Sequence, residues 1–94
     1  MPKAVWKGVV LAQSEETTLL EGFHYFPPES VRFEFLKKSD KSGAASWKGQ
    51  IFYYDLVVGA EVNPDAAFYY PEPSKAALAI KDHVAFTNDV VIIP

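Results

Sequence analysis

Five side chains in this 94-residue sequence are candidates for chemistry: His24, Lys48, Tyr53, Asp65 and Tyr69. Lys48 stands in Trp47-Lys48-Gly49, just after a polar stretch of Ser, Gly and Lys. An ammonium beside a glycine that tolerates unusual backbone angles can be aimed at an anion, such as a phosphate or a carboxylate. The plain alternative is a turn or bulge glycine with a lysine stem lying along a packed indole. Tyrosine occurs five times, twice as an adjacent pair, Tyr53-Tyr54 and Tyr69-Tyr70. Neighbours in an extended chain face opposite sides, so each pair sends one phenol to each side of its strand. Tyr53 and Tyr69 are assigned to a polar-aromatic pocket with Lys48 and Asp65, and Tyr54 and Tyr70 to the core.

His24 lies between Phe23 and Tyr25. It reads as a general base or a hydrogen-bonding group at the pocket rim, or else as a strand histidine bonded to the backbone. Glu21 is three residues from His24, and an extended segment sends the two to opposite faces unless the chain turns at Gly22. His83 reads as structural, close to a helix C-terminus. Ser46, His24 and Asp55 supply the residue types of a nucleophilic triad, but no Gly-x-Ser-x-Gly elbow surrounds Ser46. Asp55 sits inside the most apolar segment of the chain, where a carboxylate is costly unless paired; it is expected to pair with Arg32 or Lys48, or to lie at a pocket wall.

Composition narrows the function classes. Nine basic residues, only one of them arginine, face twelve acidic ones for a net charge of -3. A general nucleic-acid binder needs a basic face that displaces counterions, so nucleic acid is not an expected partner. There is no cysteine, hence no disulfide and no thiolate nucleophile or ligand. The two histidines stand far apart with no carboxylate at metal-ligand spacing, so no metal or cofactor is expected. No apolar run approaches the ~18 residues of a membrane helix. The expected location is the cytoplasm, with no membrane partner.

The elements that must position these groups are mostly short strands. Ala4 to Ala12 reads as a hairpin turning at Lys7-Gly8. Thr17 to Leu20 suits a strand, and Phe23 to Phe26 is an extended aromatic segment stopped by Pro27-Pro28. Val31 to Lys37 alternates like a half-buried strand, and Lys38 to Gly43 reads as a solvated loop. Gln50 to Val58 is the central strand. Asn63-Pro64-Asp65 marks a turn, after which Ala66 to Tyr70 is extended. Ser74 is placed as the cap of a short α-helix over Lys75 to Lys81, with Ala77, Ile80 and Val84 on one face. Asn88-Asp89 turns into a last strand, Val90 to Ile93. The expected fold is all-β with one short α-helix. It is a single domain over residues 1–94, shaped as an open barrel or a tent of two sheets.

Five segments in order carry a family resemblance: VWKGVVLAQS (Val5 to Ser14), EGFHYFPPESV (Glu21 to Val31), SWKGQIFYYDL (Ser46 to Leu56), PDAAFYYPEP (Pro64 to Pro73) and AIKDHVAF (Ala79 to Phe86). Together they resemble the family known as domain of unknown function 427. The resemblance implies an all-β, tent-like architecture similar to that of methionine-R-sulfoxide reductase. It also brings a nucleotidyltransferase-like label, but this chain has neither a glycine-rich phosphate loop nor paired metal-binding aspartates. The family pattern often reads Cys-Pro-aromatic-Lys-Gly where this chain has Ala45-Ser46-Trp47-Lys48-Gly49, so any thiol chemistry of the family is absent. A frequent tryptophan of the family is Phe68 here.

The functional expectation is a small module binding a small anionic ligand through Lys48, Tyr53, Tyr69, His24 and Asp65, as a monomer or homodimer. Two alternatives stand beside it. One is an enzyme using His24 or Asp65 as base. The other is a protein-interaction module offering exposed aromatics or a free sheet edge.

Overall fold

Strands β1 (Lys3–Trp6) and β2 (Val9–Gln13) form the opening hairpin. Lys7 and Gly8 both take positive φ, 52° and 74°, the pair of left-handed residues that suits the twist of a two-residue hairpin. The computed structural model describes all 94 residues. A second hairpin repeats the device: β3 (Thr18–Leu20) and β4 (Phe23–Tyr25) are joined by Glu21 and Gly22 at φ 52° and 84°. The third sheet contains β5 (Leu36–Ser42), β6 (Phe52–Val58), β7 (Glu61–Tyr69) and β8 (Ala85–Phe86) in that order. The last strand, β9 (Val91–Ile93), returns to pair with β1, giving the order β2-β1-β9. The nine strands therefore make three sheets and no closed barrel, where two sheets or an open barrel were expected.

Three local expectations are corrected. Phe33–Phe35 forms a 3-10 turn within the predicted strand, and β5 runs instead through the predicted loop. Being an edge strand, β5 needs few apolar residues; its Lys37, Lys38 and Lys41 stay exposed, and a register shift follows Lys38. Lysines and irregular pairing are what keep a free edge from pairing with another chain.

Asn63-Pro64-Asp65 lies within β7, not at a turn. Asp65 has φ 55°, and the β6–β7 register shifts between Tyr54 and Leu56, so the chain bulges there. The Asp65 N–H donates to Asp55 Oδ1 at 2.9 Å. Asp55 thus finds its partner in the bulge backbone rather than in Arg32 or Lys48.

The predicted α-helix is a pair of 3-10 turns over Lys75–Ile80, broken by Ala77 at φ −116°, ψ 17°. Ser74 makes no side-chain cap. A segment this short gains too few hydrogen bonds to offset α-helix nucleation. The inward positions hold nonetheless: Ala77, Ile80 and Val84 are buried.

The core has two parts. Ala4, Leu11, Phe26, Leu56, Val84 and Phe86 pack between the first sheet and the third. Phe26 and Phe86 meet edge to face at 5.7 Å, and Phe26 exchanges both backbone hydrogen bonds with Val84. Tyr25, Phe68, Tyr70, Ala77, Ile80 and Ala85 form the second part, beside which the candidate site lies.

Candidate functional site

Adjacent aromatic residues in β6 and at the end of β7 fall on opposite faces of the third sheet. Tyr53 is paired across the strands with Phe68, which puts Tyr53, Phe68 and Tyr70 on one face. Phe52, Tyr54 and Tyr69 take the other.

On the first face lies a cavity of about 310 Å³. Phe68 is its centre: Phe23, Tyr25 and Tyr53 stand around its ring at 5.1, 6.0 and 6.2 Å. Lys48 reaches the cavity from a tight turn. Ser46 and Gly49 exchange backbone hydrogen bonds of 3.0 Å, and the Lys48 N–H donates to Ser46 Oγ at 3.1 Å. The turn is pinned from behind by the Ser74 N–H, which donates to the Lys48 carbonyl at 3.0 Å.

The Lys48 ammonium pairs with Glu21, at the tip of the β3–β4 hairpin, and lies 5.3 Å from the Trp47 ring and 5.7 Å from that of Tyr70. Trp47 Nε1–H donates to the other Glu21 oxygen at 3.4 Å. Only 13% of the Lys48 side chain is exposed, against 49% of Glu21. Lys48 therefore lies along the cavity wall while its partner remains in water. The hydrogen bond from Lys48 holds the Glu21 carboxyl below its ordinary pKa, and the same bond raises Lys48 against the opposing effect of burial. Burial, then the nearby Tyr70 and Glu21, push the Tyr25 phenol well above its ordinary value, so it stays a neutral donor.

These shifts define a pH window. Because the Glu21 carboxyl is lowered, its contribution is present above the ordinary 4.5 and is lost as pH falls through the lower folded value. Lys48 is raised, so its contribution holds below 10.5 and is lost as pH rises through the higher folded value. A carbon-detected NMR titration of the Glu21 carboxyl is expected to show a midpoint below 4.5 that returns towards 4.5 in Lys48→Met. An unshifted midpoint in the unsubstituted protein would mean that the pair does not persist in solution.

Of the five candidates, Lys48 and Tyr53 come together in this cavity. Tyr69 does not; it lies on the other face of the sheet. His24 pairs across from Leu19, and its Nδ1 is hydrogen-bonded to Thr17 Oγ1 at 2.9 Å. Asp65, in the bulge, accepts from Ser39 Oγ–H at 2.5 Å. Neither lines a cavity. The triad residues are each engaged elsewhere: Ser46 with the Lys48 N–H, His24 with Thr17, Asp55 with the Asp65 N–H. No three His, Asp or Glu side chains converge to hold a metal.

Glu21, Tyr25, Phe68 and Tyr70 line this cavity without having been among the five candidates. The signal for Glu21 was Gly22: a two-residue turn there folds Glu21 away from the strands. Tyr70 rather than Tyr69 was hidden because the cross-strand register, Tyr53 opposite Phe68, cannot be read from either strand alone.

The fold and site define a small, mainly-β domain with one lysine at the mouth of an aromatic cavity. The profile of the family described as a domain of unknown function (DUF427) matches residues 2–93, and the chain belongs to that family. No curated protein matches it. No helix is long and apolar enough to cross a membrane.

Proposed function

We propose that the Lys48 cavity binds a small organic anion with an apolar body. The observation that supports this most is the asymmetry of the Lys48–Glu21 pair. The Lys48 side chain is largely covered, whereas the Glu21 side chain it holds is half exposed. An ion pair whose carboxylate stands in water is screened and weak, so a ligand carboxylate or phosphate can take the place of Glu21 at little cost. The ligand then gains by burying its apolar part against Phe23, Tyr53 and Phe68, at about 25 cal/mol per Å². The neutral phenol of Tyr25 and the hydroxyl of Tyr70 add donors beside the same anion. A volume of about 310 Å³ suits a compact ligand of one ring or a short chain. The expected setting is the cytoplasm, with no dependence on nucleic acid.

The test is an NMR titration of the ¹⁵N-labelled protein with benzoate, phenyl phosphate and the uncharged benzyl alcohol. Benzoate or phenyl phosphate is expected to shift the amides of Lys48, Phe68 and Tyr70. Lys48→Met is expected to weaken that binding about tenfold, the order of a charge-assisted hydrogen bond. Equal binding of benzyl alcohol, or no shift at these amides with either anion, would overturn the proposal.

A further inference from the structure

The opposite face of the third sheet carries a second cavity, about 490 Å³, that the Lys48 site does not use. Its floor is a row of rings. Phe33 meets Tyr54 edge to face at 5.9 Å, Tyr54 stacks on Tyr69 at 4.5 Å, and Tyr69 lies 5.9 Å from Phe52. Two charged residues of opposite sign line the same cavity, Lys38 and Asp82. Lys38 on β5 is directly across from Tyr54, so it shares the face of the aromatic row. Asp82 follows the 3-10 segment at φ 59°, with its N–H donating to the Tyr70 carbonyl at 3.3 Å. Its charge, behind burial and Tyr69, helps hold the Tyr54 phenol neutral up to about 12.

Lys38 and Asp82 do not neutralise each other. The ion pairs of the protein are Met1 with Glu15 and Lys48 with Glu21. An apolar aromatic trough with a free cation and a free anion on its lining is complementary to a molecule that carries both charges with an apolar stretch between them. A simple acid or a simple amine satisfies one end and leaves the other charge unpaired.

We propose that this second cavity binds a linear zwitterion of the ω-amino acid class, its ammonium at Asp82, its carboxylate at Lys38 and its methylene chain along Tyr54 and Tyr69. Methylene groups gain by leaving water for the ring surfaces. Both end charges are paired at once, and no atom of the Lys48 site takes part.

The test compares 6-aminohexanoate with hexanoate and hexylamine by NMR titration of the whole protein at low ionic strength. The zwitterion is expected to bind about fivefold more tightly than either analogue, the order of one part-exposed ion pair. It should shift the Tyr54 and Tyr69 ring resonances while leaving those of Phe68 in place. Asp82→Asn and Lys38→Met alter exposed side chains and should leave the fold intact. Each is expected to reduce 6-aminohexanoate binding to the level of the singly charged analogue. Equal binding of all three compounds, shifts at Phe68 instead of Tyr54, or no shift at millimolar concentration would overturn the proposal. Because the two cavities have separate reporter rings, failure here is distinguishable from failure of the Lys48 site.

Discussion

Replacing Phe68 with alanine is expected to cost the domain about 3–5 kcal/mol, the usual range for emptying a buried phenylalanine site. Phe68 is 6% exposed and lies on β7, paired to Tyr53 on one side and Ala85 on the other. Three rings stand around it, with Phe23 and Tyr25 edge to face. Each such aromatic pair contributes about 0.5–1.5 kcal/mol beyond the area it buries. A domain of ordinary stability has about 5–15 kcal/mol in total, so this one substitution removes a large part of it. Urea denaturation of Phe68→Ala and Phe68→Leu measures the effect. The leucine variant should retain more stability, because it fills part of the space. A loss below about 1 kcal/mol in Phe68→Ala would fall outside the range for a packed core ring and would mean that the cavity floor is already loose.

Gly49→Ala is the second substitution with a large expected effect, and it acts on the site as well as on stability. Gly49 has φ 115°, a region that side-chain-bearing residues rarely enter. A Cβ there would lie 2.8 Å from the Glu72 carbonyl oxygen and 3.1 Å from Pro73 Cα, both backbone atoms that cannot rotate away. Backbone strain alone is worth about 1–3 kcal/mol, and the clash adds to it. To relieve both, the turn must move away from Glu72 and Pro73, carrying Lys48 with it. The expected signature is a loss of stability together with a Glu21 carboxyl midpoint that climbs back towards 4.5. Gly59→Ala is the control, since φ is 59° there and nothing lies within 4 Å of the added carbon. It should cost less and leave Glu21 unchanged. Equal losses from the two substitutions would show that the close approach to Glu72 and Pro73 is not what requires glycine at position 49.

The turn residues account for much of what was legible in advance. Lys7-Gly8 announced the first hairpin, and Asn88-Asp89, both at positive φ, announced the last change of direction. The run Gln50 to Val58 was recognisable as the central strand because it is apolar on both faces; the strand itself begins at Phe52 and does lie between β5 and β7. Harder to read was β5, a strand of Lys, Ser and Asp whose pairing comes from β6 rather than from its own side chains. The 3-10 segment was likewise misread as α-helix, because per-residue propensity does not register that six residues are too few to offset nucleation. His24 and Asp65 had suitable chemistry but were already engaged, by Thr17 and by Ser39.

Residue order alone determined that this chain folds as β-structure and that Lys48 stands beside a glycine just ahead of the central strand. Those properties follow from local conformational preference and alternation, which act over a few residues. Which tyrosine accompanies Lys48 was decided by the folded chain. The β6–β7 register sets Tyr53 opposite Phe68, and with a side-chain period of two that pairing puts Tyr70 on the face of Tyr53 and Tyr69 on the other. It brings Tyr70 to Lys48 and sends Tyr69 to the opposite cavity. Glu21, from a separate hairpin, completes the ion pair only because tertiary packing closes a sequence separation of 27.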